Sequence, residues 1–478
     1  MKLKYKLALI SILFLVTFQN CSDDYDDVLN YRSAKDFVWS GLNQYYLYQE
    51  SVPDLFDTRF PSLALYDEFL NTYSSPEALF FDLKRDDNVD RFSVIFNDYE
   101  VLENLLSGSN KNNGVDYELR RKTPGSEELF GIVRYILPNS NASNKPVSRG
   151  FIFYAVNNTP LTTSNYNSLL ANETYTLNFA DYNNGNITSN GQSVTLTKTE
   201  YSENPVFIKN THILNGKKVG YLLYNGFYSN YKNELNEAFA YFQAENITHL
   251  VLDLRYNSGG SVQVANELAS MITGQFNNAI FAKQQWNSKI ISAYQNNLET
   301  FNNRFTSTLS NGNVIHSLNL SQVYIITTKA TASASELIIN GLNPYINVVK
   351  LGSTTTGKNV GSITLYDSPT FQKTNVNPNH KYAMQPIVLK IINKNNFGEY
   401  SNGFSPDVSI NEDLANFGTL GENSETLLAA ALSYINTNGR LSSKNTPIET
   451  SKYYSDSKSS SKVERGLYLE NNPIEITK

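Results

Sequence analysis

The sequence predicts a mixed α/β protein of several units, whose largest part is a sheet of mostly parallel strands covered by helices. Three observations indicate this class. Apolar strands alternate with helical stretches between residues 204 and 438, short runs of alternating polarity dominate residues 100–200, and apolar residues recur at helical spacing within residues 28–99. With 478 residues, 40% of them hydrophobic and 18% charged, the chain is long enough for each unit to bury its own core.

The first residues of the chain match an export signal. Three lysines precede an apolar run over residues 7–18, which is too short to span a bilayer comfortably. Cys21, the single cysteine of the sequence, follows this run, and the order resembles the signal of bacterial lipoproteins, in which such a cysteine becomes the acylated first residue. We therefore expect residues 1–21 to be a signal peptide and a lipid on Cys21 to anchor an exported protein in the bacterial cell envelope, in the periplasm or at the outer membrane. A buried apolar start with an incidental thiol is the alternative.

Residues 28–99 are predicted to form a helical N-terminal cap. Apolar residues recur there at helical spacing, and three prolines break the segment into shorter helices. We expect the aromatic stripe of the first helix to be buried in a core rather than to bind a ligand. The stripe consists of Phe37, Val38, Leu42, Tyr45 and Tyr46.

Residues 100–200 are predicted to form a small β-rich domain. Short strand-like runs cover residues 130–136, 151–156 and 193–198, and they are separated by Asn, Gly and Ser, which favour turns. An immunoglobulin-like or other small β-module would satisfy this pattern.

The order of three motifs in the β-rich domain resembles a PDZ domain, a module that adds a peptide strand to the edge of a sheet. The motifs are Phe130-Gly-Ile-Val133, Arg149-Gly150 and Val156-Asn-Asn-Thr-Pro-Leu161. The resemblance implies that Phe130, Gly131, Ile132 and Val133 form the peptide-binding edge.

Residues 204–438 are predicted to form the α/β core. Apolar stretches of strand length alternate there with helical stretches, which argues for a parallel or mixed sheet covered by helices. The predicted strands cover residues 219–224, 249–254, 323–326 and 348–351, and the predicted helices cover residues 235–242, 262–272 and 334–342. Residues 439–478 are rich in Ser, Asn and Lys, so we expect a loosely ordered polar tail.

A glycine pair after the predicted strand 249–254 is the first candidate catalytic element. Catalytic groups of open α/β sheets gather at the carboxyl ends of strands. The stretch Tyr256-Asn-Ser-Gly-Gly260 stands there, and adjacent glycines let backbone N–H groups point into a cavity, as an oxyanion hole requires. A simple strand-to-helix turn is the alternative.

Two serines at the start of the predicted helix 334–342 are candidate nucleophiles. Ser333 and Ser335 lie where a helix N-terminus would stabilise negative charge on a serine oxygen or on a tetrahedral intermediate. The small residues Ala332 and Ala334 would let a substrate chain come close. Either serine could instead be a helix N-cap.

Lys358 is the candidate base. A serine hydroxyl needs a neighbouring base, and none of the four histidines stands beside a serine in a recognisable motif. A lysine can take this role where burial lowers its pKa, because a desolvated ammonium loses its proton more easily. Lys358 follows Gly357 in a polar loop after the predicted strand 348–351. A solvated side chain is the alternative.

Together these segments resemble the C-terminal processing, or tail-specific, serine peptidase family. The resemblance covers about residues 28–435 and implies a PDZ domain coupled to an α/β core of the crotonase/ClpP-like type. The motifs that carry it are the Gly-Gly turn, Ser333-Ala-Ser-Glu336, Gly357-Lys358 and Gly403-Phe-Ser-Pro-Asp-Val408.

The resemblance also implies roles for single residues. The implied set is Ser333 as nucleophile, Lys358 as base, and Gly259, Gly260 and Ala334 as oxyanion donors. Many members carry a glutamine four residues after the lysine, where it orients the amine. This chain has Ser362 there, and a serine could hydrogen-bond the amine over a shorter reach.

We therefore expect an exported serine endopeptidase that cleaves protein or peptide substrates through a Ser-Lys dyad. No metal or organic cofactor is implied, since His, Cys and carboxylates show no ligand spacing. A net charge of −6 without a strong basic patch argues against nucleic acid as a partner. The alternative is a catalytically weak or inactive lipoprotein of the same fold that binds a peptide or a hydrophobic ligand, or serves as an adaptor.

Overall fold

The computed structural model describes residues 32–183, 185–439, 451–460, 466–470, 472 and 474. The expected signal peptide and the expected lipid anchor at Cys21 lie outside the described residues. Within the described residues, no helix has the length and apolar character that crossing a bilayer would require.

The N-terminal unit is helical, as the apolar spacing predicts. Its elements are α1 (Ala34–Tyr45), α2 (Leu63–Asn71), α3 (Pro76–Leu83), β1 (Val94–Phe96) and α4 (Tyr99–Leu106). Serine hydroxyls cap the first three helices by accepting backbone N–H bonds: Ser33 caps α1, Ser62 caps α2 and Ser75 caps α3. The predicted aromatic stripe of α1 is fully buried, and it packs into the same apolar cluster as the α/β core.

The β-rich domain is built on one antiparallel sheet and a two-stranded ribbon. Its elements are β2 (Ser109–Asn112), β3 (Val115–Arg121), β4 (Leu129–Ile136), β5 (Ile152–Val156), β6 (Thr159–Pro160), α5 (Tyr166–Ala171), β7 (Thr174–Asn183), β8 (Asn186–Thr197) and β9 (Thr199–Ser202). In the sheet, β3 is followed by β4, β5, β7 and β8, while β2 pairs with β9.

The structure corrects the expected position of the peptide-binding edge. Phe130, Gly131, Ile132 and Val133 lie in β4, which is hydrogen-bonded to β3 on one side and β5 on the other, so they are not at an edge. All four are buried, and a Cβ on Gly131 would stand 1.9 Å from the ring of Phe153. An apolar run without alternation is typical of a strand covered on both faces.

The α/β core follows the predicted alternation. Its elements are β10 (Val206–Leu214), β11 (Lys217–Tyr224), α6 (Lys232–Glu245), β12 (His249–Asp253), β13 (Gly260–Ser261), α7 (Val262–Thr273), β14 (Ile280–Trp286), α8 (Ser288–Ala293), β15 (Asn302–Arg304), β16 (Gln322–Thr327), α9 (Ala334–Leu342), β17 (Asn347–Gly352), β18 (Val360–Ser362), β19 (Leu365–Tyr366), β20 (Ala383–Gln385), β21 (Ile387–Asn393), β22 (Val408–Ser409) and α10 (Thr426–Asn436). Every strand and helix predicted within this region is confirmed, with bounds that differ by a few residues.

The main sheet of the core runs in the order β10, β11, β12, β16, β17, β22, and all its pairs except β10 with β11 are parallel. Its two faces pack against different helices: α6, α7 and α9 share one apolar cluster with residues of β11 and β12, while α10 covers the opposite face. Consecutive residues of a strand point to opposite faces of the sheet. Leu222 and Leu223 of β11 therefore pack into different apolar clusters. The carboxyl ends of β12, β16 and β17 therefore meet at one edge.

A second sheet lies beside this edge and includes the last part of the chain. Residues 451–474, here called the terminal segment, contribute β23 (Lys452–Asp456) and β24 (Leu467–Tyr468). β23 pairs with β3 of the β-rich domain, and β24 stands between β13 and β18 in a sheet that continues through β21, β14 and β15. The expectation of a loosely ordered tail is therefore wrong for these two stretches, whose tyrosines favour strands.

The β-rich domain is joined to the core by a buried cluster of charges around Arg149. Its guanidinium donates to the Tyr256 hydroxyl and to the Glu412 carboxylate, each at 2.7 Å. The same guanidinium lies 4.4 Å from the ring centroid of Phe417. Tyr256 opens the glycine turn, so the β-rich domain contacts the start of that turn directly.

Candidate active site

Ser333 stands between β16 and α9 in a strained backbone conformation. Its φ is 64°, a region that a residue with a side chain seldom adopts. The residue is fully buried, and its Oγ has no hydrogen-bond partner among the described residues. A strained and unpartnered hydroxyl at the N-terminus of a helix is an arrangement suited to a nucleophile.

Ser335, the other candidate from the sequence, has a structural contact. Its hydroxyl donates to the backbone carbonyl of Asn257 at 3.1 Å. Ala332 donates its backbone N–H to the same carbonyl oxygen, also at 3.1 Å. Ser335 therefore helps to fix the start of α9 against the glycine turn, which distinguishes it from Ser333.

Glu336 holds the serine and the lysine loop together. One carboxylate oxygen, Oε2, accepts the backbone N–H of Ser333 and that of Lys358, each at 2.8 Å, so the two amide nitrogens cannot be further apart than twice that distance. The other oxygen accepts the N–H of Gly357 at 2.7 Å and the hydroxyl of Thr355. Burial raises the pKa of Glu336, while the four bonds that it accepts act in the opposite direction. The sequence indicates a capping role for this residue but not its contact with the lysine loop.

The lysine loop is shaped by the Gly403–Val408 motif. Thr355 donates its N–H to the Phe404 carbonyl at 3.2 Å, and its hydroxyl accepts the Phe404 N–H at 2.7 Å. Gly357 has a φ of 90°, and a Cβ there would stand 2.1 Å from the carbonyl oxygen of Ser401. Glycine is thus required before the lysine, both by backbone conformation and by space.

Lys358 is buried, with 1% of its surface exposed. Its Nζ lies 4.3 Å from the ring centroid of Phe92, which comes from the N-terminal unit. Burial lowers the pKa of Lys358 from 10.5 to about 7; Arg91 acts in the same direction, and Asp90 and Glu336 oppose it. A pKa near 7 corresponds to an amine that is about half neutral at pH 7.

The glycine turn lies directly against the serine. A Cβ added to Gly259, whose φ is 115°, would stand 2.5 Å from the Cβ of Ser333 and 3.1 Å from the backbone N of Ala334. The Gly259 N–H does not point into a free space, however, because it donates to Oδ1 of Asn257 at 2.9 Å. Gly260 is paired with Leu467 of β24. The structure therefore brings the implied oxyanion residues to Ser333 but in a closed arrangement.

The hydrogen bonds described for the Ser362 hydroxyl go to groups other than the Lys358 amine. The Ser362 hydroxyl oxygen lies 3.2 Å from Oε1 of Gln385 and 3.2 Å from the Leu467 carbonyl oxygen, and either can accept its single proton. Gln385 is buried in β20 and in turn donates to the Thr364 hydroxyl at 2.9 Å. A glutamine thus does stand beside position 362, but it comes from another strand. Sequence reasoning missed it because no local motif marks it.

Comparison with known proteins places this site within a family. The model of "Peptidase S41 N-terminal domain" matches residues 33–94, and that of "Peptidase family S41" matches residues 218–379, which include Gly259, Ser333 and Lys358. The chain contains peptidase family S41 domains. S41 is a family of serine-type peptidases, so the resemblance seen in the sequence is confirmed at family level.

Two relatives illustrate how far the similarity to S41 proteins extends. The carboxyl-terminal-processing protease of Picosynechococcus sp. is 28% identical over 167 residues, which is 35% of this chain and 35% of the relative's own length. A crystal structure of a candidate S41 protease from Bacteroides fragilis is 28% identical, with a TM-score of 0.64, and the match covers 84% of this chain and 97% of that one. The second comparison extends the S41 fold over nearly all of the described chain.

Proposed function

We propose that this protein is a serine endopeptidase in which Ser333 is the nucleophile and Lys358 is the base. The observation that carries the proposal is the shared Glu336 oxygen, which binds the backbone of both residues and keeps them adjacent. The buried amine, with its pKa lowered to about 7, and the unpartnered Ser333 hydroxyl support it. Membership of a serine-type peptidase family gives the reaction class.

In the proposed mechanism the neutral Lys358 amine takes the proton of Ser333 as Oγ attacks a peptide carbonyl. The tetrahedral intermediate collapses to an acyl-enzyme when the lysine returns the proton to the leaving amine. Water then attacks the ester in the reverse sense and frees Ser333. Each oxyanion donor contributes about 3 kcal/mol to such a step.

We assign stabilisation of the oxyanion to the backbone N–H of Ala334 and to backbone N–H groups of the Gly259-Gly260 turn. Ala334 is the first residue of α9, where N–H groups have no partner within the helix. The Gly259 N–H would have to exchange its bond to Asn257 for the oxyanion, which requires a small rotation of the turn.

The finer assignments of fold and location are also proposals. We infer a crotonase/ClpP-like core from the strand order and the helix-covered sheet, and a PDZ-like module from the motif order and the strand-adding edge of the β-rich domain.

Export and lipidation at Cys21 rest on the N-terminal pattern alone. Labelling with a radioactive fatty acid, followed by fractionation of the envelope, tests them, and a Cys21→Ser protein that still takes up label would refute lipidation.

The catalytic proposal is tested by degradation of casein with wild-type, Ser333→Ala and Lys358→Ala proteins. Ser335→Ala is the matched control, since it removes an equally buried hydroxyl two residues away. We expect the first two substitutions to reduce turnover by at least about a thousandfold, and the control to keep most of it. Equal turnover by wild type and Ser333→Ala would rule out the proposed nucleophile.

A peptide-binding protein without catalysis is the second candidate function. It is favoured by the closed glycine turn, in which the Gly259 N–H is already bonded. Absence of turnover by all four proteins, together with binding of an unfolded chain by wild type, would favour it.

A further inference from the structure

The described parts of the terminal segment contact both domains, and the first of them, β23, lies at the edge of the β-rich domain. β23 adds to the outer edge of β3 in antiparallel register, with Lys452 opposite Arg121 and Asp456 opposite Glu118. The other edge of β3 is taken by β4, so β23 occupies the edge at which an added strand would bind. This is the mode by which a sheet captures an extended peptide.

Side chains of the segment fill specific sites along that edge. Tyr454 packs against Tyr166 of α5 with ring centroids 5.5 Å apart. Asp456 lies 3.5 Å from Nη1 of Arg134, a buried guanidinium of β4. Backbone pairing, an aromatic contact to a helix and an ion pair to a buried arginine together form a built binding site for a strand with an acidic residue.

The same segment reaches the candidate active site eleven residues later. β24 stands in parallel between β13 and β18, with Leu467 opposite Gly260, and with Tyr468 opposite both Ser261 and Ser362. The Leu469 N–H donates to the Ser362 carbonyl at 3.0 Å. The strand therefore fills the gap between the glycine turn and the strand that follows Lys358.

The second contact is apolar and fully enclosed. Leu467 is completely buried within the main apolar cluster, and Tyr468 is nearly so, its hydroxyl donating to the Leu106 carbonyl at 2.8 Å. Glu470 accepts a hydrogen bond from the hydroxyl of Ser261. Between the two strands, the ammonium of Lys458 donates to the carbonyl of Asn225 at 3.0 Å and lies 3.4 Å from that of Tyr256 at the start of the glycine turn.

We propose that β23 and β24 together act as an intramolecular strand ligand, which fills two sites that an extended polypeptide substrate would occupy: the edge of β3 and the gap between β13 and β18. The inference deepens the proposed peptidase function, on which it rests. It defines the substrate as an extended chain with an acidic group for Arg134 and, about eleven residues further along, a leucine-sized apolar residue beside Gly260. It also explains the closed glycine turn, because the cleft is already occupied.

The test uses the full chain carrying Ser333→Ala, so that a bound peptide is not cleaved, with and without Leu467→Asp. The added carboxylate falls in a fully buried apolar site, so it should release β24. The probe is a fluorescein-labelled synthetic peptide with the sequence of residues 450–472, and fluorescence anisotropy measures its binding. We expect the Leu467→Asp protein to bind at least about tenfold more tightly, because the peptide no longer competes with a tethered strand. The control Lys111→Gln changes an exposed residue outside the terminal segment and should leave binding at the parent's level.

A folded Leu467→Asp protein that binds no more peptide than its parent overturns the inference, and so does equal binding of a peptide with the same residues in scrambled order. Casein cleavage is measured separately with Ser333 intact. Faster cleavage alongside tighter binding supports both proposals. Tighter binding without cleavage supports the strand ligand and counts against the peptidase, so the two failures are distinguishable.

A second variant keeps the test decisive if Leu467→Asp prevents folding. Arg121→Cys/Lys452→Cys places two thiols on directly opposite strand residues, within the reach of a disulfide, without touching the core. The reduced protein should bind the labelled peptide at least about tenfold more tightly than the oxidised one, and Arg121→Cys alone should show no such dependence. Equal binding in both redox states overturns the inference.

Discussion

Replacing Lys358 by methionine should abolish activity and yet make the protein more stable at neutral and acidic pH. Methionine has a similar length, carries no charge and suits a site lined by the Phe92 ring. The folded protein holds the amine with its pKa lowered from 10.5 to about 7, so folding in acid must either bury a charge or release its proton. Both cost free energy.

The size and sign of the effect follow from that pKa. One pKa unit is worth about 1.4 kcal/mol, so the fall from 10.5 to about 7 amounts to about 5 kcal/mol. Below pH 7 both the folded and the unfolded chain hold the proton, and the full cost of the buried charge is present. Between about pH 7 and 10.5 the unfolded chain binds one proton more than the folded one, so the cost is relieved as the pH rises towards 10.5. The stability gained by Lys358→Met should therefore be about 5 kcal/mol at pH 6 and only about 1 kcal/mol at pH 10, before any change in packing.

The assay is urea unfolding of both proteins at several pH values between 6 and 10. Lys111→Met is the control, because it makes the same substitution at a side chain that is 60% exposed. Wild-type turnover, measured in parallel, should rise with an apparent pKa near 7, since only the neutral amine is a base. A stability difference that stays constant with pH, or a rate that rises only near pH 10, would refute a desolvated lysine.

Three further substitutions test the surroundings of the dyad. Gly259→Ala should lower kcat/KM by at least about a hundredfold, since the added Cβ would stand 2.5 Å from the Cβ of Ser333. Gly125→Ala is the control: its φ of 83° is also positive, but an added Cβ would have no atom within 4 Å, so this substitution should lower only the stability. Glu336→Gln should lower both turnover and the free energy of unfolding, by about 1–3 kcal/mol for each N–H left without an acceptor; unchanged urea midpoints would contradict the shared-carboxylate geometry. Ser362→Ala should cost about 1 kcal/mol of stability and leave the midpoint of the pH–rate profile unmoved, and a shifted midpoint would show that this hydroxyl acts on the amine.

The strands and helices of the α/β core can be predicted from local patterns of apolar residues in the sequence. Strands such as β12 and β16 are short apolar runs, and α7 and α9 carry apolar residues at helical spacing, so each element could be assigned without knowledge of its neighbours. Position at the end of such an element marks Ser333, Ser335 and Lys358 as candidates, and the resemblance to the peptidase family then selects Ser333 as nucleophile with Lys358 as its base. Their approach then follows from the parallel sheet, in which successive carboxyl ends share an edge.

Features that depend on pairing between distant segments could not be predicted. An apolar run does not show which strands will pair with it on either side. The sequence therefore does not reveal that β4 lies inside the sheet rather than at its edge. The contact of Glu336 with the lysine loop and the place of Gln385 beside Ser362 arise from tertiary packing, which leaves no local signal. The terminal segment is polar in composition, and the strands that order it, β3, β13 and β18, lie far away along the chain, so no local pattern marks its two strands.

The ring of Phe92 lies over the lysine amine, although Phe92 is far from Lys358 in the sequence. The geometry of attack and the pKa of the amine therefore depend on different parts of the chain. The proposed nucleophile and base both lie within residues 333–358, but part of the surface that shields the amine from water comes from the N-terminal unit. Substitutions at Phe92 or its charged neighbours Asp90 and Arg91 could therefore move the working pH range without altering the geometry of attack. The N-terminal unit would then set the acidity at which such an enzyme starts to work, independently of what it cuts.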